Sequence, residues 1–140
     1  MTLVLNKQEL SDYLQEIFPQ VMEDYVIEAL EPESVTMRLL VADRHLRPGG
    51  TVSGPSMFAL ADVTVYALVL SRLGRQALAV TTNSSLDFLR KPASGQDIIA
   101  KGQLLKLGRS LVVGDVLLFS EGSAKVVARS TMTYSIPPAG

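Results

Sequence analysis

The sequence predicts an α+β fold: an antiparallel sheet of five or six strands wrapped around a long central helix, with a second helix at the N-terminus. Three observations predict it. From Pro55 to Leu70 the only charged residue is Asp62, and a helix that is apolar on all sides belongs inside a protein. After Gly74 the hydrophobic period changes from that of a helix to the alternation of strands and keeps it through four segments. Ahead of the helix lie two shorter alternating segments and one amphipathic stretch.

The elements follow in order. Asn6 can cap a first helix, with Glu9 three residues on as the other half of a capping box. Leu10, Tyr13, Leu14, Ile17 and Phe18 recur at helical spacing, and Pro19 discourages continuation. Tyr25 to Leu30 and Ser34 to Val41 read as strands joined by a turn at Pro32. Arg47 to Pro55, rich in Gly, Pro and Ser, is a loop. Ser53 to Pro55 should open the central helix, which runs to about Leu73 and closes at Gly74. Ala77 to Leu89, Asp97 to Leu107, Ser110 to Phe119 and Lys125 to Ile136 are the four long strands, expected as a consecutive antiparallel meander. Residues 1–140 are read as one domain: an N-terminal helix in 1–20, the core in 24–136 and a tail in 137–140.

Composition narrows the function. Apolar residues make up 47% and charged residues 19% of the 140, which suits a packed core and not a disordered chain. The net charge is -1, without the basic footprint that nucleic-acid binding needs. Cysteine is absent and His45 is the only histidine. Disulfides, thiolate nucleophiles, cysteine-bound zinc and multi-imidazole metal sites are thereby excluded within one chain. Lys7, Glu9 and Asp12 interrupt the N-terminal apolar residues, unlike a signal peptide. The apolar run Val63 to Leu70 falls short of the roughly 20 residues of a membrane span. A cytoplasmic protein without membrane or nucleic-acid partners is expected.

Asp62 is the residue that needs explaining. Burying an ionised carboxylate without partners costs several kcal/mol, roughly, or neutralises it. It is either satisfied by backbone donors and water, or held in a dry pocket as a base or nucleophile.

The residues around it carry a resemblance. The stretch Ser53-Gly54-Pro55-Ser56-Met57-Phe58-Ala59-Leu60-Ala61-Asp62 resembles the signature of hotdog-fold acyl-CoA thioesterases of the phenylacetate-degradation type. In that family His-Gly-Gly opens the central helix and the acid of Leu-Ala-Asp follows nine residues after the His. Val80-Thr81-Thr82-Asn83, Leu86-Asp87-Phe88-Leu89-Arg90-Lys91-Pro92-Ala93, Lys106-Leu107-Gly108-Arg109 and Ala128 to Tyr134 are similar to later segments of the family, in the same order. Ser53 stands where the family has His, Pro55 where it has the second Gly, and Arg47 where relatives often have Asn.

The resemblance implies hydrolysis of an acyl- or aryl-CoA thioester, with no cofactor beyond the coenzyme A of the substrate. The backbone N–H of Gly54, at a helix N-terminus, would polarise the carbonyl; Pro55 has no N–H to offer. Asp62 would activate water or attack the thioester. At about 1.5 Å per residue, Gly54 and Asp62 lie roughly 12 Å apart on one helix, so both can act on one carbonyl only if they come from different subunits. The resemblance implies the same: a homodimer with its sites at the interface, with a dimer of dimers (homotetramer) as a further step. Thr81 falls where relatives place a water-holding hydroxyl and is otherwise an ordinary strand residue. Ser53 caps the helix; as a nucleophile it would need a base beside it, and nothing places His45 there. Asn83 is a candidate for the same interface. Tyr66, one turn after Asp62, faces the thioester or packs. Arg90, Lys91, Lys106 and Arg109 are solvated charges at strand ends singly, and as a set candidates for coenzyme A phosphates. The competing readings are a non-catalytic acyl-CoA or hydrophobic-ligand binding module, a dehydratase of the same fold, and a purely structural oligomer.

Overall fold

The computed structural model describes residues 3–138; Met1, Thr2 and the last two residues of the expected tail lie outside them. Two helices, α1 (Lys7–Ile17) and α2 (Pro19–Met22), precede strands β1 (Tyr25–Glu31) and β2 (Ser34–Leu39). A 3-10 turn (Asp43–His45) and a loop lead into α3 (Gly54–Leu73). Strands β3 (Val80–Phe88), β4 (Ile98–Leu107), β5 (Leu111–Ser120) and β6 (Val126–Ser135) complete the chain.

The capping box forms at α1: Glu9 N–H donates to Asn6 Oδ1 at 2.8 Å, and Asn6 N–H donates to Glu9 Oε1 at 2.9 Å. Leu10, Tyr13 and Leu14 are the buried face. Pro19 does more than stop α1. With its fixed φ and missing N–H it suits a first helical turn, and α2 begins there after Phe18 breaks from helical geometry.

All six strands form one sheet, every pairing antiparallel, in the order β1-β2-β4-β5-β6-β3. The expected meander of four consecutive strands is corrected here. Only β4, β5 and β6 follow one another; β3 pairs with β6 at the far edge, and β2 takes the place beside β4. The connection from β3 to β4 therefore crosses the sheet.

The central helix is bounded as its sequence indicates. Ser53 Oγ accepts from Ser56 N–H at 3.3 Å, and Gly74 closes the C-terminus at φ +85°, where a side chain would be strained. By length and composition α3 is apolar enough to cross a membrane, more than the short run Val63–Leu70 suggested, but most of it is buried against the sheet. Leu60, Val65, Leu68 and Leu70 are fully buried, each such burial contributing about 1.5–3 kcal/mol. The helix is not enclosed on every side. Pro55, Phe58 and Ala59 in its first turns are exposed. The sheet approaches α3 closely at Gly102, where a Cβ would lie 2.7 Å from the Thr64 methyl.

Candidate active site

Asp62 sits midway along α3, partly buried, and points toward β3 and β6. Two hydroxyls meet it. Thr81 Oγ1 on β3 donates to Asp62 Oδ1 at 2.5 Å, and the Tyr134 hydroxyl on β6 donates to the same oxygen at 2.7 Å. Thr81 and Tyr134 are register partners across the two strands. Immediately after Thr81 the pairing slips by one residue, and such bulges re-aim side chains. Tyr66, one turn on from Asp62, stacks on Tyr134 with ring centroids 5.8 Å apart and donates its hydroxyl to the Ala77 carbonyl at 2.7 Å. Asp62, Thr81, Tyr66 and Tyr134 line a cleft of about 230 Å³ together with Phe18 and Ala79. The phenols respond to this setting. Burial first, and then the charge of Asp62, hold Tyr134 above the usual phenol range. Burial, with Asp24 and Asp62, pushes Tyr25 up to about 12.

Gly54 opens a separate cleft of about 400 Å³ at the N-terminal end of the helix. As the first residue of α3 its N–H has no intrahelical acceptor. Arg47, Arg90 and Lys91 line this cleft, with Phe88 laid against the Gly54 α-carbon: a Cβ there would meet the Phe88 ring at 3.1 Å. Pro55 is exposed beside it. Ser53 is committed to the cap, its hydroxyl donating to Ser56 Oγ at 3.0 Å. The His45 imidazole turns elsewhere. Its Nδ1 accepts from Ala42 N–H at 2.9 Å, and its Nε2 lies 3.1 Å from Asp24 Oδ2. Among the described residues the Ser53 hydroxyl bonds only to Ser56.

One chain thus gathers Asp62, Thr81 and Tyr66 in one cleft and Gly54, Arg47, Arg90 and Lys91 in another. Asn83 is exposed on β3, the free edge of the sheet. Lys106 and Arg109 join neither group; Arg109 borders a third cavity with Leu73, Gln76 and Ile136. Among the described residues no three histidine or acidic side chains converge as metal ligands. Tyr134 and Phe18 were not singled out from sequence. The signal for Tyr134 was the pairing of β6 with β3, which local periodicity does not carry.

A family model described as the thioesterase superfamily matches residues 49–127, more than half of the chain. The chain belongs to the thioesterase superfamily. The matched span of this thioesterase runs from the loop before α3 into β6 and includes Gly54, Asp62 and Thr81, while Arg47, Phe18 and Tyr134 lie outside it. Its crystallographic likenesses include a candidate thioesterase from Silicibacter sp. TM1040, 68% identical, covering 99% of this chain and 96% of that one at a TM-score of 0.93. Another is a variant of the phenylacetic acid degradation protein PaaI from Thermus thermophilus, 27% identical, covering 84% and 99% at a TM-score of 0.73. Among sequence relatives, acyl-coenzyme A thioesterase 13 of Mus musculus is 24% identical over 117 residues, 83% of this chain and 82% of its own length. The hotdog fold and thioester hydrolysis follow for this chain.

Proposed function

We propose that this thioesterase hydrolyses an acyl- or aryl-CoA thioester in a site shared by two copies of the chain. Asp62 of one copy is the general base or nucleophile, and the Gly54 N–H of the other polarises the carbonyl. The observation that carries this reading is the division of one helix between two clefts. The partly buried carboxylate lies in one, and the unpaired helix N-terminus flanked by Arg47, Arg90 and Lys91 in the other. Neither cleft alone holds both halves of the chemistry. The unpaired edge of β3, with Val80 and Phe88 more than half exposed, is a surface along which a second copy would align the two halves.

In the base route, water attacks the thioester carbonyl and gives its proton to Asp62. The negative charge developing on the oxygen meets the Gly54 N–H and the positive end of the helix. As the intermediate collapses the C–S bond breaks, and the coenzyme A thiolate takes up the proton that Asp62 holds. In the nucleophile route Asp62 attacks first, the thiolate leaves, and water then opens the mixed anhydride. The cationic side chains of the Gly54 cleft suit the phosphates of coenzyme A, Arg most of all for its forked donors.

The test is thiol release from short, long and aromatic acyl-CoAs by wild type and Asp62→Asn. Loss of the base is expected to lower kcat about 10²- to 10⁴-fold in a protein still folded and oligomeric. Undiminished hydrolysis by Asp62→Asn would remove the carboxylate from the mechanism. Binding of the esters without hydrolysis by wild type would favour a ligand-binding role. Single turnover in ¹⁸O-water separates the two routes, since only the anhydride route can place the label in Asp62.

A further inference from the structure

We propose that Tyr134 is a positioning residue for Asp62: its hydroxyl, together with that of Thr81, holds Oδ1 and leaves Oδ2 as the oxygen that works on the thioester. This rests on the reading of Asp62 as the reacting carboxylate. The geometry is specific to one oxygen. Both hydroxyls donate to Oδ1, at 2.5 and 2.7 Å, and among the described residues no hydrogen bond reaches Oδ2. A carboxylate pinned by two donors on one oxygen cannot rotate about its last bond without losing both, so the other oxygen is held at a fixed place in the cleft.

The donor itself is held rigidly. Tyr134 is 3% exposed, and a buried phenol needs a partner for its hydroxyl. Its hydroxyl also lies 3.1 Å from the Asp62 backbone carbonyl, so it is bracketed by two acceptors of one residue. Its backbone is paired on both sides, with Thr81 on β3 and Val112 on β5. Its ring lies on Tyr66, whose own hydroxyl is fastened to Ala77. Burial and the neighbouring carboxylate favour the protonated phenol, which suits a neutral donor to Asp62.

The experiment is a double-mutant cycle of Tyr134→Phe and Asp62→Asn, read as kcat and KM for one hydrolysed acyl-CoA. Phe keeps the ring and its stacking and removes only the hydroxyl. In the wild-type background kcat is expected to fall roughly 10- to 100-fold, the size of a hydrogen bond to a charged group, with KM within about threefold. In the Asp62→Asn background the same change is expected to do nothing further, because a residue acting through another has no effect once that residue is disabled. Equal fold losses in both backgrounds, or a kcat for Tyr134→Phe within about twofold of wild type while Asp62→Asn is inactive, overturn the proposal and leave Asp62 catalytic. An Asp62→Asn as active as wild type removes the underlying reading first, and this proposal with it. Asp62→Glu tests the same idea without touching Tyr134. It keeps the charge but carries the oxygens past both hydroxyls, and roughly a 100-fold loss is expected; a glutamate within tenfold of wild type counts against a clamped carboxylate.

Discussion

Thr81 and Asp24 show how much rests on single hydroxyls and carboxylates. Thr81 donates to Asp62 at 2.5 Å, so Thr81→Val is expected to lower kcat about tenfold or more, whereas Thr81→Ser, which keeps the donor, stays within about threefold. Steady-state kinetics on the two variants decides this, and a loss in Thr81→Ser with Thr81→Val unimpaired would show that the methyl, not the hydroxyl, matters. Asp24 belongs to stability instead. It pairs with Arg44 and lies 3.1 Å from His45 Nε2. Burial works against its charge, yet the Arg44 and His45 side chains beside it outweigh this and hold the carboxyl below its ordinary 3.8. The folded-state value is the lower one, so the stabilisation is fully present above about pH 3.8 and is lost as the pH falls through the folded value. Melting curves of wild type and Asp24→Asn should therefore differ at pH 7 and converge in acid; a gap that persists below about pH 3 would place the effect elsewhere. Asp62 stood out in the sequence because it is the one charge between Pro55 and Leu70. Tyr134 did not, because an aromatic residue in a strand is ordinary and its meaning lies in a contact 72 residues away.

Elements were legible where a boundary residue has a physical duty. Ser53 satisfies an unpaired N–H and Gly74 takes a positive φ, so α3 could be read to within a residue or so at each end. The strands could be read by alternation, but their order could not. Alternation records which face a residue shows, and nothing in it states which neighbour the strand takes. Hence β3 was expected beside β4 and lies beside β6. The packing of α3 on the sheet gives a prediction at this scale. Gly102 lets β4 approach Thr64 so closely that even a methyl would be 2.7 Å away. Gly102→Val is expected to destabilise by about 1–3 kcal/mol, and Thr64→Ser, which removes the opposing methyl, should recover part of that loss. Denaturant unfolding of the single and double variants measures the coupling; strict additivity would show that the glycine serves some other contact.

At the scale of the whole molecule, the proposed division of the site between copies would make assembly and activity one property. Gly54→Pro removes the N–H at the first helical position, where proline fits once the Phe88 ring, 3.1 Å from the added Cβ, shifts, and Asp62→Asn removes the carboxylate. Each variant alone is expected to be nearly inactive. Unfolded together and refolded, they form mixed dimers in which one of the two sites has both its Gly54 and its Asp62. Activity should return to a measurable fraction of wild type, and failure to recover any would argue for sites within one chain. Dilution should act in the same way, with specific activity falling as the copies separate. The crowding of phenols around Asp62 has a consequence of another kind. The chain has four tyrosines and no tryptophan. Tyr66 and Tyr134 are stacked beside the carboxylate, Tyr25 feels its charge, and Tyr13 lies close enough to influence Tyr66. Two of the four phenols that give this protein its ultraviolet emission therefore line one cleft, and an acyl group entering it should announce itself in the light the unlabelled protein gives off.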